Sequence, residues 1–407
     1  MDLRANPLGL SRQPIFDQDL NVVAYELLYR SEKRDQIEKL LSGDQETCNV
    51  LIDHFTNIYD SGTLRSLPAF LNITDGFLRT GSLPSLSRHN LVINLSLAST
   101  SQAFIHALKK YVEAGYRLVL NDFEYHPEYD ALLELAAIVR VDIRHYSDQE
   151  VLQHLAQLKK FNVTCLAEQV ESYVEFERCQ SLGFKLFQGN FLSKPAIIEG
   201  RKLSSNQAVI IHLLAALQDK DVTPAELADI SSRDPQLTYK LLRIVNSAQY
   251  NLSNKIESLS QAIIALGINE VNKWATLLAL SSNDERPSEL VRQILMTARM
   301  CEFVAYKTKE VDSELAFMTG VLSLLDALLE IDQQTLLSQL SISEDIISAI
   351  TRYEGKAGKL LQAINFYMIG QSSFNLPPSL QEIYAEAYYE SLRWSNETMQ
   401  IMQGSHL

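Results

Sequence analysis

The chain has 407 residues, enough for two or three domains at roughly 150 residues each. Its 46% hydrophobic and 21% charged content is that of a globular protein and excludes a disordered chain. Acidic residues outnumber basic ones 50 to 36, and the formal charge of -14 argues against a nucleic-acid polymer or an anionic membrane as partner, because both need a basic surface. A small anionic ligand in a local pocket stays open. Cys48, Cys165, Cys179 and Cys301 are too scattered for a disulfide framework, and none is in C-x-x-C spacing for a structural zinc. The opening stretch has no apolar signal-like core, and no apolar run reaches the ~18 residues of a membrane helix. The expectation is a cytoplasmic protein with reduced thiols.

In chain order, the predicted strands are Leu10–Phe16, Val22–Leu28, Ala69–Ile73, Leu91–Leu95, Leu118–Asn121, Ile138–Asp142, Thr164–Ala167 and Lys185–Gln188. Helical spacing falls between most of them, as at Phe104, Ala107, Leu108 and Tyr111. Repeated β-then-α order implies a mostly parallel sheet. Eight strands favour a closed (β/α) barrel over a doubly wound open sheet. The polar break at Glu199-Gly200-Arg201-Lys202 places a domain boundary near residue 200, giving 1–200 and 201–407. Helix signals dominate after it. Thr223-Pro224-Ala225-Glu226 and Ser341-Ile342-Ser343-Glu344 read as capping boxes, Asp234-Pro235 as a helix start, and Gly267 as a helix stop. The second half is expected to be all-α.

The strand ends carry the chemistry. Glu26, Asn72, Asn94, Asn121-Asp122, Arg140, Asp142, Glu168 (with Glu171 three residues on) and Gln188 fall at the carboxyl ends of successive strands. A rim of carboxylate and amide oxygens suits a hard divalent cation, magnesium or manganese.

Arg12-Gln13-Pro14-Ile15, Tyr25-Glu26-Leu27-Leu28-Tyr29-Arg30, Leu71-Asn72-Ile73, Asn121-Asp122-Phe123, Arg140-Val141-Asp142, Leu166-Ala167-Glu168-Gln169-Val170-Glu171 and Phe187-Gln188-Gly189-Asn190-Phe191-Leu192-Ser193-Lys194-Pro195 follow one another in the order of a known family. Over residues 8–196 the chain resembles an EAL domain, the TIM-like (β/α)8 phosphodiesterase domain that linearises the bacterial messenger cyclic di-GMP. The resemblance implies Glu26, Asn72, Asp122 and Glu168 as metal positions, and Gln13, Leu28, Arg30 and Pro195 as dinucleotide contacts. It also shows departures. Asn94 stands for a family glutamate, and Asn121 for an aspartate that bridges two metals. Arg140 stands for a lysine, and Glu124-Tyr125-His126 for Gly-Thr-Gly. Each Asn removes a charge worth on the order of 4 kcal/mol against a unit charge at about 4 Å and a dielectric near 20. The hydrolytic site therefore reads as degenerate, with no catalytic residue and no required cofactor. Magnesium or manganese would enter only if the site were active.

Ser232-Arg233-Asp234-Pro235-Gln236-Leu237, Leu241–Tyr250, Ile256-Glu257-Ser258 and Ala262–Gly267 resemble an HDOD domain, a non-catalytic relative of the HD phosphohydrolases, over roughly 205–400. No histidine lies between His212 and His406, and Gly320–Asp326 stands where an HD enzyme would place a His-Asp pair. Metal-dependent HD chemistry is excluded on ligand grounds. Asn246 and Ser247 are read as a cap or bridge between helices; Tyr384, Tyr388, Tyr389 and Trp394 are read as packing residues. Together these features predict an EAL–HDOD signalling protein. Its barrel would sense cyclic di-GMP or hold a protein partner, and its helical half would provide the output, in motility or biofilm control. The alternatives are an active phosphodiesterase producing pGpG and a scaffold that binds no nucleotide. Neither the protein partner nor a homodimer is specified by the sequence.

Overall fold

The computed structural model describes residues 10–29, 52–60, 63–80, 90–96, 100–121, 125–194, 242, 244–246, 256, 259–267, 270–271, 273–274, 276, 287–340, 342–370 and 376–402. They divide into two compact units. The first holds most of the chain to Lys194 together with Asn365–Tyr389; the second holds Tyr59–Thr63, Pro195–Ile364 and Glu390–Leu407.

The first unit is built on a closed eight-stranded barrel. Its strands are β1 (Leu10–Phe16), β2 (Val22–Tyr29), β5 (Ala69–Asn72), β6 (Leu91–Ser96), β7 (Arg117–Asn121), β8 (Ile138–Asp142), β9 (Thr164–Glu168) and β10 (Leu186–Phe187), in the order β1-β10-β9-β8-β7-β6-β5-β2. The predicted strands are these eight, with ends within two residues. A two-stranded sheet of β3 (Asn57–Asp60) and β4 (Thr63–Ser66) stands apart from the barrel and was not predicted. β1 runs antiparallel to both β2 and β10; the other pairs of the barrel are parallel. The reversal follows from the tight β1–β2 link. Asp17 Oδ1 accepts the backbone N–H groups of Asp19 and Asn21, and Leu20 takes a left-handed φ of 63°. A turn this short joins only antiparallel strands.

Helices, three of them starting at a serine side-chain cap, alternate with the strands. They are α1 (Asp75–Thr80), α2 (Gln102–Glu113), α3 (Asp130–Leu133), α4 (Asp148–Leu158) and α5 (Tyr173–Leu182). Helix α2 starts at the Ser101 hydroxyl and buries Phe104 and Leu108, the predicted face. Helix α4 starts with a complete capping box of Ser147 and Glu150. Helix α5 ends at Gly183, whose φ of 110° suits a residue without Cβ.

Inside the barrel, Ile15, Ala24, Phe70, Val92, Val119, Ile138 and Leu166 form one apolar layer, with Leu186 packed against it. Strand side chains alternate faces with period two. In every parallel strand of the layer, and in β2, the residue two positions on is a rim residue named above: Glu26, Asn72, Asn94, Asn121, Arg140, Glu168 and Gln188. On the reversed β1 the corresponding step is from Ile15 back to Gln13. The rim is thus one pleat, about 7 Å, above a dry floor.

Apart from the β3 and β4 residues within Tyr59–Thr63, the second unit has helices as its only regular elements among its described residues. It holds α6 (Leu259–Leu266), α7 (Ser288–Thr308), α8 (Ser313–Leu322), α9 (Leu325–Leu329), α10 (Gln333–Gln339), α11 (Glu344–Arg352) and most of α12 (Gly355–Met368), and α13 (Pro378–Met402) ends there. Gly267, with φ 84°, stops α6 as predicted. Helices α7 and α8 cross closely at Gly320, where a Cβ would lie 2.7 Å from Ala298 Cα. Asn246 bridges two segments: its amide donates to the carbonyls of Leu242 and Ile256, and its oxygen accepts the Ile256 N–H, all at 2.7 Å. Ser343 caps α11 by position but its hydroxyl makes no capping bond, so the predicted box does not close there. Ser341, Thr223–Glu226, Asp234-Pro235 and Ser247 lie outside the described residues. No helix among the described residues is long and apolar enough to cross a membrane.

Two outcomes follow from this packing. Gly189 links β10 to the rest of the rim with a φ of 154°, and any Cβ there would drive into the Val170 backbone. Gly189→Ala should lower thermal stability by about 1–3 kcal/mol, read by denaturant unfolding of the full chain. Burial pushes the Asp326 carboxyl up to about 6, and its Oδ1 has no hydrogen-bond partner. A raised carboxyl binds its proton more tightly in the native state. Stability should therefore fall, by up to roughly 3 kcal/mol, as pH rises from about 4 to about 6, and level off above. Asp326→Asn should remove that slope from melting curves taken across the same range.

Candidate functional site

The barrel places Glu26 at the centre of the rim, 4% exposed. Its Oε1 accepts hydrogen bonds from Asn72 (3.2 Å), Asn94 (3.1 Å) and Arg140 Nη1 (3.0 Å). Its Oε2 accepts from Arg140 Nη2 (2.9 Å) and Gln188 (2.8 Å). One carboxylate thus receives five donors from β5, β6, β8 and the end of β10. Burial alone would raise the Glu26 carboxyl. The Arg140 charge and the bonds from Arg140, Gln188 and Asn72 outweigh it and hold the group below the usual carboxylate range.

Arg140 is equally enclosed. Its guanidinium grips Glu26 in a fork, donates to Gln188 Oε1 at 2.8 Å and forms an ion pair with Glu168. Burial would lower its pKa, but Glu26 and Glu168 raise it further above its ordinary value. Gln188 extends the network by donating to Gln13 Oε1 at 2.9 Å. Asn72 Oδ1 accepts from the amides of Asn94 (2.7 Å) and Asn121 (3.4 Å).

The outer rim follows the same pattern. Asp142 accepts from the Arg144 guanidinium at 3.0 and 2.6 Å, and lies 3.4 Å from His145. Burial raises the Asp142 carboxyl, but the Arg144 bonds and charge bring it below its ordinary value. Glu171 pairs with Lys194 at 3.1 Å. Arg144 and Lys194 were not assigned a role from the sequence. Their signal was available: a cation two residues after Asp142, and one at the end of the Phe187–Pro195 motif.

The structure therefore brings together Gln13, Glu26, Asn72, Asn94, Asn121, Arg140, Glu168 and Gln188 as one network. Glu171 lies outside it, and Leu28 is on the barrel-facing side one pleat above Glu26. Asp122, Arg30 and Pro195 lie outside the described residues.

This donor shell does not fit a divalent metal. Both oxygens of Glu26 already accept charged or amide donors, and a cation would have to strip them. The two buried oxygens without a partner, Asn94 Oδ1 and Asn121 Oδ1, are neutral. Glu26, Glu168 and Arg140 sum to one negative charge; Glu at 94 and Asp at 121 would make it three. Among the described residues no group of three or more His, Cys, Asp or Glu side chains is placed to hold a metal ion.

Comparison with known proteins gives four results. An HDOD domain model matches residues 203–340. The cyclic di-GMP phosphodiesterase CdgJ of Vibrio cholerae is 28% identical over 401 residues, spanning 95% of this chain and 92% of that protein. The calcium and cyclic di-GMP complex of Klebsiella pneumoniae BlrP1 is 20% identical over 46% of this chain and 56% of that one, with a TM-score of 0.37. The uncharacterized protein YuxH of Bacillus subtilis is 30% identical over 406 residues, spanning 96% of this chain and 98% of that protein. With a relative matched from end to end at that level, the chain belongs to the YuxH family, an eight-stranded barrel followed by a helical half that carries the HDOD match.

Proposed function

We propose that this protein is a cyclic di-GMP signalling component whose barrel binds the dinucleotide without hydrolysing it. In this reading the closed barrel is a degenerate (β/α)8 EAL domain over 1–200, with β1 reversed. The HDOD domain over 201–407 passes the signal to a protein partner in the cytoplasm, in motility or biofilm control. The observation that carries the non-hydrolytic reading is the filled Glu26 shell. In this reading Arg140, which stands at a family lysine, spans both Glu26 oxygens and keeps that carboxylate engaged within the chain.

Two-metal hydrolysis needs two cations to hold a phosphodiester and a water between them. At the Glu26 rim the cation is a guanidinium, which has no open coordination position and cannot lower the pKa of a bound water. It offers hydrogen bonds only, and its two Nη groups are spent on Glu26, Gln188 and Glu168. Dinucleotide contacts would fall instead to Gln13, Leu28, Arg30 and Pro195. Arg30 is suited to a phosphate oxygen.

The competing reading is an active phosphodiesterase, and the similarity to CdgJ favours it. Purified full-length protein with magnesium or manganese should give no pGpG above buffer, while calorimetry in chelator should show heat with cyclic di-GMP. Turnover that is lost in Glu26→Gln would establish the enzyme instead. Absence of heat at high protein concentration would leave a scaffold. The chemical cause has its own check. Asn94→Glu, Asn121→Asp and Arg140→Lys combined should make the melting temperature rise with added manganese, whereas the natural chain should show no such rise.

A further inference from the structure

The C-terminal part of the chain returns to the barrel. Asn365–Tyr389 belongs to the same compact unit as the strands. Within it Tyr367, Tyr384 and Tyr388 are buried and form a cluster, with ring centroids 5.8 and 5.7 Å apart from Tyr367. Tyr388 stacks on Phe55 at 6.2 Å, and Tyr389 on His54 at 3.8 Å. The Tyr388 hydroxyl accepts the backbone N–H of Arg12 at 2.9 Å, a buried bond across 376 residues of sequence. Arg12 is next to Gln13 and faces Leu27 across the β1–β2 ladder.

Gly370 makes the telling contact. It takes a left-handed φ of 75°, and a Cβ there would collide with Leu28 Cδ1. The left-handed backbone favours glycine, and a side chain there would have to push the end of the Leu28 side chain aside. By strand alternation Leu28 faces the same way as Glu26, one pleat nearer the mouth. The backbone at Gly370 therefore rests on the mouth side of the rim, on a side chain that the ligand reading assigns to the dinucleotide.

We propose that Asn365–Gly370 and the first turns of α13 are an internal strap, held by Tyr388 on β1 and seated by Gly370 on Leu28. The strap and cyclic di-GMP compete for the same rim. Occupied by the strap, Leu28 is only partly exposed; dinucleotide binding requires the strap to lift and frees the Tyr388 anchor. This proposal rests on the ligand reading of Leu28 above, and its test separates the two.

The first readout needs no nucleotide. In full-length protein carrying Leu28→Cys, thiol labelling at position 28 is followed by peptide mass spectrometry, alone and with Gly370→Val or Tyr388→Phe. Gly370→Val puts a branched side chain into the collision; Tyr388→Phe removes one hydrogen bond and keeps the ring. Labelling should be slow in the parent and about tenfold faster with either loosening change. Equal and rapid labelling in all three overturns the strap. The second readout is calorimetry with cyclic di-GMP on the natural chain, Gly370→Val and Tyr388→Phe, with circular dichroism confirming that each is folded. Loosening the strap should tighten binding about three- to tenfold, because the competent state is no longer scarce. Unchanged affinity in folded, faster-labelling variants overturns the competition. Faster labelling with no heat in any variant keeps the strap and removes the ligand reading.

Discussion

The site depends on a register constraint: each barrel strand carries one apolar residue in the floor and, two positions nearer the mouth, one polar residue in the rim. A strand pleat offers no other arrangement, since a shift of one residue would turn the rim side chain out of the barrel. The pairings Asn72↔Asn94 and Asp142↔Glu168 set neighbouring rim residues side by side. Glu26 reaches four strands' worth of donors because closure brings the ends of β5, β6, β8 and β10 around it. The network is thus a consequence of the fold and needs no loop to assemble it.

That enclosure fixes the electrostatics. A carboxylate 4% exposed cannot stay ionised without compensation. The chain provides it through Arg140, five donors in all, and the sum is a carboxyl held below its ordinary range. The linkage has a definite sign. A depressed native pKa adds stability that is complete above the unfolded value and is lost as pH falls through the native one. The rim is therefore a stabilising plug at neutral pH and a weak point in acid. Asp326 in the helical unit has the opposite sign, since burial there is not answered by a cation.

Much of this was legible in sequence. The eight barrel strands are short β-rich runs ending in polar residues, and their number predicted closure. The rim residues could be read because each sits at a strand's carboxyl end. What period and spacing could not give is pairing. Arg140 reads as a lysine replaced by an arginine; only the closed barrel shows its fork on Glu26 and its pair with Glu168. Asn94 and Asn121 read as lost ligands; only their donated bonds show that they act as amides toward Glu26 and Asn72. The antiparallel β1 was hidden because strand direction leaves no mark in an alternating pattern. The tyrosines of α13 read correctly as packing residues, but helical spacing does not say against what. Tyr384 and Tyr388 are with the barrel, while Trp394, six residues later on the same helix, lies near Trp274 and Phe317 of the helical unit.

Pairing Glu26 with a buried guanidinium has a structural consequence of its own. A buried ion pair seldom adds net stability over apolar packing, because desolvation offsets the Coulomb gain; breaking one partner leaves an uncompensated charge and costs about 3–5 kcal/mol. Once Arg140 and Glu26 were joined, neither could be lost alone without that penalty. The pair therefore persists whether or not it does chemistry, and the presence of Glu26 is no sign of hydrolysis. The informative positions are those where the fold would tolerate either charge state: Asn94 and Asn121, whose amides replace acids without leaving an ion unpaired. Their neutrality lets one arginine suffice. With carboxylates at both places the same rim would hold two further negative charges and only a metal, or a second cation, could balance it. The charge at those two residues therefore decides whether Arg140 alone can balance the rim.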